Sequence, residues 1–383
     1  MTQNEILTPV PGPAGWTGPS SVLVVGGSVA GLAAALALAR TGHYVTVLER
    51  RAGSLHGGAG LGIDRRLLTA VTGQSALGEV NSPALPVVTS SRDSTSWEAL
   101  YTWLRTGVAR QASRIRVLAA RTVVEVGQDQ HRAWVRTAEG PRYEANWLVG
   151  ADGYRSLVRA AVSPEQPAAR YAGYVLWRGL VEEHDLRHPL PATALGVQEH
   201  WQPRYRLVAY AVPGAGGTIE PGQRRLSYAW YDPDRTSLLR EMGCLVGDEV
   251  RASVRPEQLP TELRAELAGA LTRWPAPWPA VLGTSLAAGG LFGTPVAEYL
   301  PPRLVQGRLA LLGDAAHVVS PITGSSYRHA LLDAQALAAA LAAVGPPVAR
   351  RLLTYEQARL GSAQRLVRTS QRLGNAYLRY VGG

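Results

Sequence analysis

Lysine is missing from this chain: Lys and Arg together number 39, every one of them arginine, against 29 acidic residues and a formal charge of +10 over 383 residues. Such a balance would ordinarily suggest a polyanion partner, yet the arginines are scattered among acids along the whole chain, which disfavours nucleic-acid binding. The skew towards arginine reads as genomic codon bias rather than as a site. Cysteine is nearly missing as well. The lone Cys244 excludes an internal disulfide and any CxxC metal or redox centre, so a reducing cytoplasmic compartment is expected. No apolar stretch is long and uninterrupted enough to span a bilayer. Residues 1–19 carry Pro and Gly but no basic start followed by an apolar run, so they read as a flexible extension rather than a signal peptide. What is present, 46% hydrophobic against 18% charged residues, is enough for a packed core.

After the extension comes SVLVVGGSVAGLAAALALARTGHYVTVLER: a β-branched run, a glycine turn, an alanine-leucine helix, then a second strand ending on an acid. This is a βαβ unit with a dinucleotide fingerprint spanning Gly26, Gly27, Ser28, Ala30 and Gly31. Gly26 makes the tight turn, Gly31 lets helix pack on strand, and Glu49 waits for a ribose. Ser28 occupies the middle glycine position, where a small residue still lets backbone approach a pyrophosphate at the helix N-terminus.

Two later stretches follow strands in the same way. WLVGADGYRSLVR, 147–159, puts Asp152 and Gly153 after a strand, then Arg155, Ser156 and Arg159 on a short helix. By itself an Asp-Gly turn capping a helix explains it. LALLGDAAHVVSPITGSSYRHALLDA places Gly313 and Asp314 at the end of an apolar run, ahead of Gly324 and an alanine-rich helix. GGSVAGL, GADGYRSLVR and LALLGDAAH, in this order, resemble the three motifs of the FAD-dependent aromatic hydroxylases, the single-component flavoprotein monooxygenases typified by p-hydroxybenzoate hydroxylase. The resemblance extends over nearly the whole chain after the extension. YVLWRGLVEE from Tyr174, SYAWYDP and Trp97 in TSWEALY look most like the 2,6-dihydroxypyridine 3-hydroxylase branch.

That resemblance implies non-covalent FAD, with NADPH or NADH and O2 as co-substrates and a small hydroxylated aromatic or N-heteroaromatic ring as substrate. It implies that Asp314 bonds the ribityl chain and that the helix from about Tyr327 aims its N-terminus at the flavin pyrimidine. It puts Arg50 near the adenine, Arg105 towards the FAD phosphates, and Asp152 near both FAD and the visiting nicotinamide nucleotide. In many relatives the loop reads P-x-x-G-x-G-x-N; here the second Gly and the Asn are Ser326 and Arg328. Arg328 would then supply a positive charge near the flavin or substrate. A phenolic or hydroxypyridine ring attacks better when deprotonated, and His317 and Tyr210 are the candidate bases. His329 is expected to stand apart from other titratable groups.

The fold class expected is α/β: a Rossmann-like FAD-binding domain with an inserted antiparallel-sheet substrate domain and a C-terminal helix. The divisions are an extension to 19, FAD-binding segments at 20–170 and 285–345, a substrate domain at 171–284 and a terminal helix at 346–383. YRLVAYAVPG and RRLSYAWYDP alternate in side-chain direction and are expected to pair antiparallel, crowding Tyr210, Tyr228 and Trp230 into one sheet region. A helix over 329–344, a Gly345-Pro346-Pro347 break and an arginine-rich helix to about 378 complete the chain. A flavin reductase or a non-enzymatic FAD-binding protein would carry the same three motifs, whereas the WxWxIP stretch of flavin halogenases is absent. A homodimer is compatible with all of this, with neither nucleic acid nor membrane as partner and no metal site.

Overall fold

The computed structural model describes residues 6–7, 21–53, 60–80, 82–90, 92–188, 190–342 and 348–382. Ser21–Val25 (β1) runs into Gly26, and Val29–Arg40 (α1) follows. Every residue of α1 from Gly31 to Ala39 is buried, as a helix with alanine and leucine on all sides must be. Tyr44–Leu48 (β2) returns parallel to β1. Next come Trp97–Arg110 (α2), Ile115–Leu118 (β3), Trp147–Gly150 (β4) and Leu157–Val162 (α3).

The chain then crosses to a second sheet through the long strand Arg170–Glu182 (β5), followed by Gln198–Trp201 (β6), Arg206–Val212 (β7) and Arg225–Pro233 (β8). β7 and β8 pair antiparallel as their alternation predicts, and β8 pairs β5 in the same sense. Phe292–Glu298 (β9) pairs with the other edge of β5. The division expected at 285 therefore falls inside a helix, Trp278–Ala287, and the chain stays with the second sheet through β9. It re-enters the first sheet at Leu309–Leu311 (β10), then forms Ser326–Ala342 (α4) and the long Val348–Gly382 (α5). The Gly345-Pro346-Pro347 break lies outside the described residues. The first of these two helices starts three residues earlier than the alanine pattern suggests, because Ser326, Tyr327 and Arg328 join its first turn.

The first sheet has the order Val305–Gln306, β10, β4, β1, β2, β3, parallel except at its Val305–Gln306 edge. A four-stranded layer formed by Val123–Gln128, Ala133–Thr137, Arg142–Ala145 and Ile6–Leu7 completes this half. Ile6–Leu7 pairs parallel with Arg142 and Tyr143. The segment read as a free extension is thus tied down at these two residues, while 1–5 and 8–20 lie outside the described residues.

The consequence for function is the adjacency of β10, β4 and β1. Gly313-Asp314, Asp152 and Gly26 are far apart in sequence, yet each begins the turn that leaves one of three neighbouring parallel strands at its carboxyl end. Main-chain bonds lock the turns together: Gly26 N–H donates to Leu48, Ala151 N–H to Val25 and Leu312 N–H to Gly150. In an open parallel sheet the crevice beyond these ends is where ligands bind. Close approach is built in by two glycines. Gly26 has φ +105°, and a Cβ there would lie 2.4 Å from the Ala151 carbonyl oxygen; a Cβ on Gly31 would lie 1.9 Å from the Gly26 oxygen. Neither position tolerates a side chain without moving backbone.

Candidate active site

The fingerprint turn presents an anion site. Ser28 sits in the N-cap position of α1 with extended backbone but makes no side-chain capping bond, and the first turn holds no acid. Its free N–H groups and the helix dipole therefore remain available for a phosphate group. Beside it Glu49 is 8% exposed, its two oxygens accepting the Gly27 and Arg51 N–H groups at 2.9 Å each. Each oxygen keeps a lone pair, so the carboxylate can accept a ribose hydroxyl as well. Gly27 has no room for more, since its Cβ would meet the Glu49 Cβ at 2.9 Å. Arg50 and Arg105 are exposed and form no hydrogen bond or ion pair among the described residues. Trp97 stacks on Tyr101 at 4.9 Å, on the first turn of α2.

The second turn is used differently. The Asp152 carboxylate accepts the Ser156 hydroxyl at 2.5 Å and the Leu157 and Val158 N–H groups at 2.7 and 3.2 Å. It thereby caps α3; burial holds its carboxyl above the ordinary range against these bonds. Asp152 thus has a positioning role beside the cofactor contact expected of it. Arg159, on α3, is the residue that sequence reasoning undervalued: fully buried, it donates to the Pro167, Tyr154, Asp314 and Ala315 carbonyls and stacks 4.5 Å over Tyr299. A single guanidinium fork thus joins the second turn to the third.

In the third turn Asp314 is exposed, with one oxygen accepting the Ser326 hydroxyl at 2.7 Å. Ser326, standing where relatives carry glycine, reaches the very carboxylate expected to hold the ribityl chain. Gly313 and Gly324 both take φ +58°, the left-handed conformation that glycine adopts without penalty. Ala30 lies 3.2 Å from where a Gly313 Cβ would be, fitting the first and third turns together. Arg328 points outward from the first turn of α4, exposed and without a hydrogen bond among the described residues.

Neither candidate base is placed to act as one. His317 is 0% exposed and faces away into a buried cluster, its Nε2 2.7 Å from the Asp333 carboxylate. Asp333 also accepts from Arg359 at 2.8 Å and from the Gly313 N–H at 3.1 Å. Burial pushes the His317 imidazole down, but the charge and hydrogen bond of Asp333 outweigh it and hold His317 above its ordinary value. It ties the loop to Asp333 in the core and does not face a ring. Tyr210 donates to the Gly60 carbonyl at 2.6 Å, and burial pushes its phenol up to about 12. It is protonated at neutral pH, and with its one O–H committed to Gly60 it can only accept from a ring. His329 does not stand apart either: its ring centroid is 6.1 Å from that of His317, and Arg359 reaches its Nδ1 at 3.4 Å.

Tyr210, Tyr228 and Trp230 divide between the two faces of the second sheet, because Tyr210 is paired with Ser227 while Tyr228 pairs Ala209. Tyr228 bonds Ser285 at 2.6 Å, and Trp230 packs edge-on against Tyr205 and Trp274; both belong to the core. Tyr210 lies on the other face, towards the Gly60–Gly62 strand.

The three turns and the uncapped helix form a dinucleotide-binding groove of the flavoprotein type. Comparison with known proteins agrees. The model described as a pyridine nucleotide-disulphide oxidoreductase matches residues 20–172, an FAD binding domain-like model 171–266 and an FAD binding domain model 294–370. A 2,6-dihydroxypyridine 3-monooxygenase of Paenarthrobacter nicotinovorans is 28% identical over 347 residues, 83% of this chain and 81% of that protein. An aurachin C monooxygenase/isomerase of Stigmatella aurantiaca is 28% identical over 379 residues, 92% and 88% of the two chains. The solved 2,6-dihydroxypyridine-3-hydroxylase of Arthrobacter nicotinovorans superposes with a TM-score of 0.76 at 26% identity, over 95% of this chain and 93% of that one. Over most of its length the chain is thus similar to FAD-dependent aromatic hydroxylases. It is an NAD(P)H-dependent flavoprotein monooxygenase with FAD as its cofactor.

Two outcomes follow from this geometry. Asp314→Ala lowers FAD affinity by about 1–3 kcal/mol, the cost of losing a charge-assisted hydrogen bond, whereas Ser326→Gly, which keeps the carboxylate, retains FAD. Fluorescence titration of the apoprotein with FAD measures both, and an unchanged affinity in Asp314→Ala removes that residue from the groove. The second concerns pH. Burial, then the His317 and Arg359 charges, depress the His329 pKa from 6.5 to about 4, so the unfolded chain binds this proton more readily than the folded one. The His329 contribution is complete above 6.5 and is lost as pH falls towards about 4. His317 has the opposite sign, its contribution being lost only as pH rises through its raised folded value. Urea unfolding of His329→Gln across that acidic window therefore shows a smaller loss of stability than the parent; parallel curves would count against the assignment.

Proposed function

We propose that this monooxygenase inserts one atom of O2 into a small, planar, hydroxylated N-heteroaromatic ring, at the expense of NADPH or NADH. The observation that carries this reading is the face of the second sheet bearing Tyr210. On the opposite face, Val175, Trp177, Leu207, Ala209, Ala211, Tyr228 and Trp230 are sealed against the helices of this half. On the Tyr210 face, Val208, Tyr210, Ala229, Arg178 and Leu180 all remain partly open. At one end Ile322, from the loop between Asp314 and α4, packs onto this face. At the other, Tyr210 and Ser227 bond the main chain of Gly60. A flat ring fits a shallow sheet surface closed at both ends, with small Ala229 leaving the space above it.

Bound FAD supplies two-electron exchange with the nicotinamide and activation of O2. The protein's share is positioning and electrostatics. Glu49, Ser28 and the first turn of α1 hold the adenosine and phosphate end, and Asp314 the ribityl end. Arg159 keeps the second and third turns in register. Tyr210, its hydroxyl proton committed to Gly60, offers an aromatic wall and a phenolic oxygen that accepts. Arg328, at the first turn of α4, brings positive charge to the rim, where it favours anionic character on the flavin or the ring. The dihydroxypyridine relatives motivate the choice of ring. The same reading places the protein in the cytosol, in keeping with the single buried thiol of Cys244, and leaves a homodimer as the assembly to be measured.

The test is substrate-stimulated NAD(P)H oxidation across hydroxypyridines and phenols, with mass spectrometry of product formed under labelled O2. One labelled oxygen atom per product is expected, with 2,6-dihydroxypyridine favoured over benzoates. Label arriving from water, or NAD(P)H oxidation with no oxygenated product from any ring, would replace oxygen transfer with a reductase function. FAD that stays bound yet resists reduction by either nicotinamide would point instead to a non-enzymatic flavoprotein. Arg328→Ala is expected to slow flavin reduction or raise peroxide release while FAD stays bound; stopped-flow traces and peroxide yields equal to the parent would place Arg328 outside the active site.

A further inference from the structure

With His317 turned into the core and Tyr210 held as a donor, no base among the candidates stands beside the ring, and a ring that must be electron-rich needs another means of holding its charge. Arg178, in the middle of β5, meets that need. Its register partners are Ala229 on one side and Phe292 on the other. Side chains directly opposite one another in an antiparallel pair share a face, so Arg178 lies on the face that also carries Val208, Ser227 and Tyr210. It therefore stands between the two closures of that face, the Ile322 contact and the Gly60 contact.

Arg178 forms no hydrogen bond and no ion pair among the described residues, whereas Arg206 is paired with Glu199, the adjoining Arg224 with Glu183, and Arg225 with Glu182 and Glu98; Arg170, the other arginine of β5 without such a partner, is exposed at the start of the strand. A guanidinium cannot shed its proton at any ordinary pH, and a partly buried one without an anion is costly. Burial holds its pKa below that of a free guanidinium; Tyr154, from the second turn, and Tyr210 are the titratable groups that act on it. Both are phenols, so neither supplies the missing negative charge. Arg178 therefore keeps its hydrogen-bonding capacity for an anionic group.

We infer that Arg178 is the substrate anchor of this site, binding the ring in its deprotonated form through charge-assisted hydrogen bonds to a ring oxyanion. The inference rests on the monooxygenase reading for the identity of the ring, but not for the binding itself. It accounts for the lack of a base, because a ring taken up already ionised needs a cation to hold it rather than a group to deprotonate it. The planar fork of arginine suits two acceptors on one ring edge better than an ammonium would.

The experiment is equilibrium binding to the oxidised, FAD-loaded protein without nicotinamide, read by flavin absorbance and by calorimetry. The probes are 2,6-dihydroxypyridine and salicylate, both anionic at the pH used, and 2,6-dimethoxypyridine, which cannot ionise. Arg178→Gln is expected to weaken the anionic probe that binds the parent by about 10- to 100-fold, with Arg178→Lys between the two. Affinity for the dimethoxy probe and for FAD is expected to stay at parental values, which also shows that the variants are folded. Equal binding of the anionic probe by parent and Arg178→Gln overturns the assignment, as does a parent that binds neither anionic probe or a loss shared by the neutral probe. Arg178-dependent binding without an oxygenated product would leave the anchor standing and remove the monooxygenase reading instead.

Discussion

One buried carboxylate, Asp333, holds the flavin end of the groove together. It receives the Gly313 N–H from the turn, His317 from the loop that follows it and Arg359 from α5. A carboxylate with no access to water is tolerable only when it is paired and hydrogen-bonded. His317, Arg359 and the amide meet that requirement, and the Arg359 charge depends on Asp333 in return. Its pKa shows the balance: burial raises it, and His317 and Arg359 bring it below the ordinary value. Because Asp333 lies on α4 and Arg359 on α5, both helices are locked to the turn that presents Asp314. The terminal helix reinforces this elsewhere along its length, with Tyr355 donating to the Leu311 carbonyl at 2.7 Å and Glu356 accepting the Leu304 and Val305 N–H groups.

The second sheet shows a complementary division of labour. Its helix-facing side is packed with tryptophan, tyrosine and leucine and secures the half chiefly by burial. Its other side carries the polar and half-open residues that can meet a ligand. Asp232 illustrates how the sealed side is kept rigid: fully buried, it accepts from Trp177 at 2.8 Å and from Arg235 at 2.7 Å. Arg178, one residue along the strand from Trp177, points the other way. Strand periodicity thus lets neighbouring residues serve stability and binding separately.

Much of the cofactor groove was legible before any coordinates. The βαβ fingerprint is local: strand, glycine turn, helix and terminal acid lie within thirty residues, and Gly26, Gly31 and Glu49 occupy the places that their spacing implies. The antiparallel pairing of β7 with β8 was equally visible, since alternation along a strand survives in the sequence. The candidate bases were misjudged for the opposite reason. Whether His317 looks towards a ring or towards Asp333 depends on a residue one turn of chain and one helix away. Tyr210 was grouped with Tyr228 and Trp230 because composition shows clustering but not the face on which each side chain falls. Arg178 went unnoticed because a lone arginine among many carries no signal until its neighbours are seen to lack a matching charge.

The sequence by itself determined which local units form, the class of ligand they suit and the order in which three strand-end turns occur, because those properties depend on hydrogen bonds and sterics between residues close in the chain. Only the tertiary structure decided which turns became neighbours, which side of the second sheet stayed open and which charges were left without a partner. These depend on strand order, register and burial, where residues more than a hundred positions apart set one another's surroundings.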